Sequence, residues 1–273
     1  MVHVTTLATA AAAPTAAAAP GAGTGVIALW AHPRALSTAF ARMMRERGDL
    51  TVVHEPLVAL HDTGEMRVPA PGGGEVAATF PCALLSALNE LGAARRVFFK
   101  DTLEYRYQHP FDHPADLAGM THTFLIRDPR RAISSHYAIK ATVTCEQIGY
   151  EHQWELFLLA RAVTGREPVV IHAEDLLADP AGTVEAYCAA AGLPFRPEAL
   201  TWAAGDAPEW LPNSRWHVDV GRTTGFAPIP KDFAVTVDND ARLRRFYDYH
   251  LPFYRQLAKH ALAPGSATTT GAP

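Results

Sequence analysis

Two stretches of this chain set arginines and hydroxyls where a strand hands over to a helix. In HPRALSTAF (residues 32–40), Arg34 precedes Ala35 and Leu36, and then come Ser37 and Thr38. A helix start of this kind attracts anions, because its first N–H groups have no intrahelical partner and the helix dipole favours negative charge. Arg34 adds a planar fork that matches two phosphate or sulfate oxygens. In HTFLIRDPRRAISSHY (residues 122–137), Arg127 ends an apolar run, Pro129 opens a helix, and Ser134 and Ser135 lie about two turns along it. Arg127 and Ser135 can therefore converge on one phosphate. Read singly, each stretch is also an ordinary βα turn with a serine cap, or a capped surface helix with Arg130 and Arg131 in water. Read together they are two separated anion sites, which suits a nucleotide bisphosphate. The GxxxxGK[ST] pattern of a Walker A loop is absent. Two further strand-length runs end in titratable groups, one at Glu55 and one at Lys100 and Asp101.

These residues need a scaffold that gathers strand ends, and the hydropathy pattern supplies one. Strand-like runs fall at Gly25–Ala31, Leu50–His54, Arg95–Lys100, Thr121–Arg127 and Pro168–His172. Helical spacing falls between them at Ser37–Arg47, Pro81–Leu91, Arg130–Ala141, Tyr150–Val163 and Pro180–Ala191. Ser37 or Thr38 is the expected cap of the first helix, and Gly48 its stop. Apolar runs alternating with helices imply βαβ units and a mostly parallel sheet covered on both faces, an α/β fold. In such sheets ligands sit beyond the carboxyl ends of the strands. Residues 201–232 read as an ordered loop region, and Asp238–Ala261 as a last helix broken at Pro252. The expected organisation is one domain over residues 25–262. It is flanked by disordered, low-complexity segments at 1–24 and 263–273.

Composition narrows the function classes. Of 273 residues, 24 are Lys or Arg and 28 are Asp or Glu, a net charge of −4, which disfavours general nucleic-acid binding. No apolar run approaches the ~20 residues that span a bilayer, so no membrane segment is expected. Pro14 and Pro20 interrupt the early apolar stretch and no Lys or Arg precedes Arg34, which does not fit a secretory signal. Cys82, Cys145 and Cys188 are widely spaced and odd in number, so a reduced, cytoplasmic location is expected. The 13 histidines are scattered without HExxH; His109 and His113 flank a Pro-Phe-Asp turn that reads as a solvated loop, and no metal is expected.

At this point the motifs resemble a known family. HPRALSTAF is similar to the 5′-phosphosulfate loop of sulfotransferases that use 3′-phosphoadenosine 5′-phosphosulfate (PAPS). LIRDPRRAISS is similar to their 3′-phosphate motif, with Arg127 and Ser135 at the matching spacing, and VVHEP (52–56), FFKD (98–101) and TTGF (223–226) resemble the bacterial branch. The resemblance runs from about Val26 to Phe226. It implies a three-layer α/β domain around a five-stranded, mostly parallel sheet, related to nucleotide kinases. It also implies PAPS as donor, 3′-phosphoadenosine 5′-phosphate (PAP) as product, and a small-molecule acceptor. In the family loop a hydroxyl and a glycine or arginine usually stand where this chain has Ala35 and Leu36, while Arg34, Ser37 and Thr38 are kept.

The resemblance also implies roles. Arg34 and the N–H groups near Ser37 and Thr38 would face the charge that grows on the departing nucleotide oxygen. Glu55, before Pro56, is the expected general base, with Asp101 in reserve; Lys100 is a donor to the sulfuryl group, and Thr102 replaces the histidine of the eukaryotic pattern. Arg222 would close over the 3′-phosphate, and Trp216 and His217 would line the pocket or pack in the core. His54 points to the other side of its strand, and HAEDLLADP (172–180) reads as a turn and helix cap. The expected activity is sulfuryl transfer to a hydroxyl or amine of a bacterial metabolite. The sulfate is then either the final group or a leaving group for cyclisation or elimination. The competing readings are a non-catalytic PAP-binding homologue or partner subunit, and a phosphotransferase. The last is disfavoured by the missing Walker A loop and magnesium-binding carboxylates. Homo- and hetero-oligomers stay open.

Overall fold

Short apolar runs become parallel strands when helices cover both sheet faces. The structure, a computed structural model, describes residues 23–205 and 221–263. In chain order, β1 (Gly25–Ala31) leads into α1 (Ser37–Glu46), and β2 (Thr51–His54) runs into α2 (Pro56–Thr63). A hairpin of β3 (Met66–Pro69) and β4 (Glu75–Ala78) precedes α3 (Pro81–Ala94) and β5 (Arg96–Thr102). The single-turn α4 (His109–Asp112), β6 (Met120–Ile126), α5 (Pro129–Ile139) and α6 (Tyr150–Thr164) follow. Then come β7 (Val169–His172), α7 (Ala173–Ala178), α8 (Pro180–Ala190) and, last of the described helices, α9 (Ala241–Ala258).

The main sheet has five parallel strands in the order β2–β5–β1–β6–β7. Alternation along β1 divides the core. Val26, Ala28 and Trp30 join one apolar cluster with Leu84, Leu88 and Phe157, while Ile27, Leu29 and Ala31 join another with Phe40, Met43 and Tyr187. This is the three-layer α/β arrangement. The chain moves from β1 out to β2, returns as β5, then crosses to β6 on the other side of β1. Strand order thus reverses beside β1, and the crevice above its carboxyl end is where such sheets bind ligands.

Three local expectations need correction. The cap of α1 is Leu36, in the left-handed region at φ 71°, with no side-chain cap; Ser37 is already inside the helix. Pro252 does not break α9: it lies inside an unbroken helix on an exposed position, where water can serve the carbonyl one turn earlier. His109 and His113 do not lie in a free loop. Their rings stack with centroids 4.6 Å apart, and His109 Nε2 meets Asp116 Oδ2 at 2.8 Å. No cluster of three metal-ligating side chains occurs among the described residues, and none of their helices is long and apolar enough to cross a membrane. The low-complexity ends, apart from Gly23, Thr24 and Ala263, and Trp216 and His217 lie outside the described residues.

Candidate active site

The loops after β1, β2, β5 and β6 meet around one cleft of about 650 Å³. Pro33 to Thr38 form one wall; Arg127, Ser134 and Ser135 form the next; Glu55, Lys100 and Thr102 face them. The two anion motifs are joined directly. Arg34 Nε donates to Ser135 Oγ at 3.1 Å, and an Arg127 terminal N–H donates to the Arg34 carbonyl at 3.1 Å. Arg127 Nε is buried with no hydrogen-bond partner among the described residues. Burial opposes the Arg127 charge and lowers its pKa, while Glu174 pushes the other way. A buried guanidinium N–H with nothing to donate to fits an anion as its partner.

Ala35 is fully buried in the apolar cluster of Phe40 and Met43, so its methyl serves packing. Among the described residues, three that are not glycine adopt positive φ: Arg34 (69°), Leu36 (71°) and Glu55 (45°). All three line the cleft. Such backbone costs roughly 1–3 kcal/mol per residue and persists where the surroundings enforce it.

Glu55 occupies the bend between β2 and α2. Its N–H donates to the Lys100 carbonyl at 2.7 Å, and its Oε1 accepts from Lys100 Nζ and, at 3.3 Å, from the Thr102 hydroxyl. Lys100 is 1% exposed, so this pair is well shielded from water. The Nε2 of His54 lies 3.6 Å from Glu55 Oε2, so the ring reaches the carboxylate rather than packing away from it. Asp101 behaves differently from its neighbour. It is fully buried and does not line the cleft; its carboxylate accepts N–H bonds from Leu57 (2.6 Å), Val58 (3.3 Å) and Thr102 (3.0 Å). Burial, and then the Glu55 charge, push its pKa up to about 8, against the pull of those N–H bonds.

Arg222 is exposed and does not line the cleft; the late loop brings Lys231 and Phe233 there instead. Arg130 and Arg131 also line it, and Arg130 is paired with Asp238, so they are more than a solvated helix face. Sequence reading missed Tyr105 and Lys140, whose isolated positions carry no motif. It read Glu174 only as part of a turn and helix cap, whereas the Glu174 Oε1 accepts the Asp128 N–H at 3.2 Å and so touches the loop that follows Arg127.

The family profile described as "Sulfotransferase domain" matches residues 25–261. Among curated proteins, "Branched-chain-amino-acid aminotransferase-like protein 1" of Arabidopsis thaliana is 29% identical over 262 residues, 91% of this chain and 44% of its own. Its counterpart, protein 2 of the same plant, is 27% identical over 218 residues, 76% of this chain and 37% of its own. The chain thus spans less than half the length of these relatives. Similar solved structures include two at 14% identity and a TM-score of 0.45 each. They are the sulfotransferase domain from the Synechococcus PCC 7002 olefin synthase, with 87% of this chain and 98% of that one covered, and that from the curacin biosynthetic pathway, with 83% and 97%. With both anion motifs at one strand-end cleft and the profile spanning the whole sheet, the chain belongs to the sulfotransferase domain family.

Proposed function

We propose that the chain transfers a sulfuryl group from PAPS to a hydroxyl or amine of a small molecule. The observation that carries this reading is the convergence of the two anion motifs. Arg34 and Ser135 are 101 residues apart in sequence and hydrogen-bonded at one cleft. The loop of Arg34, Ser37 and Thr38 would hold the 5′ end of the nucleotide, and Arg127 with Ser135 the 3′-phosphate. Glu55 stands on the facing wall, at the edge where an acceptor enters, and takes its proton. Lys100 and Arg34 are cations aimed at the oxygens that gain charge as the sulfuryl group leaves. For Lys100 to reach those oxygens it must exchange Glu55 for them, and that exchange frees the carboxylate to act as base. Asp101, turned under α2, positions the helix start and has no contact with the cleft.

Calorimetric titration with PAP and with ATP, followed by mass spectrometry of candidate acceptors incubated with PAPS, tests the reading. PAP should bind and ATP bind far more weakly, and a product heavier by one sulfuryl group should form. Equal binding of the two nucleotides points to a phosphotransferase, and PAP binding without transfer to any acceptor points to a scaffold.

A further inference from the structure

Behind the cleft wall, two aromatic side chains that never reach the cleft tie its two anion loops together. His32 follows β1 and is fully buried. A carbonyl only accepts, so the 2.9 Å contact between His32 Nδ1 and the Pro33 oxygen makes Nδ1 the protonated nitrogen. Nε2 is then left to accept the Arg127 backbone N–H at 3.0 Å. Burial lowers the His32 pKa to about 3, which keeps this neutral tautomer at neutral pH. The ring stacks on Tyr150 with centroids 3.9 Å apart and planes 26° from parallel. Tyr150, fully buried, donates its hydroxyl to the Arg127 carbonyl at 2.6 Å. Both backbone polar groups of Arg127 are thus held by one stacked pair. Gly149, just before Tyr150, has φ 87°, and a Cβ there would stand 2.5 Å from the Leu103 oxygen and 3.2 Å from Pro33 Cδ. The start of α6 is pressed against the first loop.

We propose that His32 and Tyr150 are positioning residues that fix the separation of the two anion loops, so that the site measures the spacing between the two charged groups of its nucleotide. This rests on reading the cleft as a PAPS site. Of the other links between the loops, Arg34 Nε to Ser135 Oγ joins two side chains that the nucleotide reading assigns to the ligand, while the Arg127 terminal N–H to the Arg34 carbonyl leaves Arg127 Nε for the anion. The aromatic pair engages only the Arg127 backbone and no group assigned to the nucleotide, which is what preorganisation requires.

The test compares PAP with its adenosine 2′,5′-bisphosphate isomer and with adenosine 5′-phosphosulfate, by calorimetry on the full chain. The parent should prefer PAP to the 2′,5′ isomer by about tenfold or more, the scale of one charge-assisted hydrogen bond misplaced. Tyr150→Phe keeps the stack and removes only the hydroxyl. It should weaken PAP by about three- to tenfold, the scale of one buried hydrogen bond, narrow the preference over the isomer by a similar factor, and leave adenosine 5′-phosphosulfate unchanged. His32→Gln, which keeps an acceptor within reach of the Arg127 N–H, should retain more of the preference than His32→Phe. A parent that binds the isomers alike, or a folded Tyr150→Phe variant that keeps the parental ratio, overturns the proposal while the PAPS reading stands. A uniform loss for all three ligands makes the pair merely structural and overturns it too. A parent that binds no PAP overturns both.

Discussion

Arg127→Ala and Ser135→Ala each remove a group that the 3′-phosphate reading needs and the 5′ end does not. Each should weaken PAP by roughly 1–3 kcal/mol, the loss of a charge-assisted hydrogen bond, and barely affect adenosine 5′-phosphosulfate. Titration calorimetry with both ligands decides, and equal losses would mean that the two side chains only hold the loops. Glu55→Gln keeps the size and reach of the side chain and removes its basicity. Turnover should fall about 10²–10⁴-fold, the range for a positioned general base, while PAP affinity stays near the parental value. The parental rate–pH profile should show an acidic limb that the variant lacks. Retained turnover in Glu55→Gln would remove the base from that wall altogether, since Asp101 has no face on the cleft.

At the scale of elements, Asp101 joins β5 to α2 through the Leu57 and Val58 N–H groups, which makes the helix start depend on a buried carboxyl group. The raised pKa means the folded chain keeps a proton there that the unfolded chain releases above its ordinary 3.8. Stability from this group is therefore full below that value and declines as pH rises towards about 8. Compared with Asp101→Asn, the parent should lose stability between about pH 4 and about pH 8 in urea titrations. A constant difference would show a carboxylate that stays ionised throughout, held by its N–H donors. The five strands were legible because each is an apolar run closed by a polar or glycine residue, and every end fell within two residues of its expected place. The α2 helix and the β3–β4 hairpin were not. Pro56–Thr63 has little amphipathic contrast, and Glu75–Ala78 is mostly exposed, so neither presents a periodic face. The two anion motifs were readable because glycine-free loops with arginine and serine at fixed spacing are distinctive. The His32–Tyr150 pair was not readable, because stacking between residues 118 positions apart in sequence leaves no local trace. Arg222 is exposed and off the cleft, which was not readable for a related reason: nothing in a loop sequence says which of its cations faces inward.

The whole molecule stores several neutral histidines in its interior. Burial lowers His32 and His136 to about 3, and His122 and His250 to about 4, from an ordinary 6.5. The unfolded chain takes up protons that the folded one refuses, so this part of the stability is intact above the ordinary value and is lost as pH falls below it. By pH 5 each such group costs up to about 2 kcal/mol, and the melting temperature should drop clearly between pH 7 and pH 5. A flat melting temperature across that interval would mean that the buried rings find proton acceptors on acidification. His122, which accepts from Trp30 Nε1 at 3.0 Å and meets the Leu117 carbonyl, is well suited to follow by proton resonance.

The left-handed backbone at Arg34, Leu36 and Glu55 also bears on how this protein would respond to selection. Glycine or asparagine relaxes such positions, so a screen for heat resistance alone would collect substitutions there, at the cleft wall. Variants gained that way would be hardier and poorer catalysts. A library meant to toughen this chain while keeping it active should leave those three codons untouched and look instead to the outer faces of α3 and α8, where residues such as Ala83, Ala93, Ala181 and Ala189 are exposed.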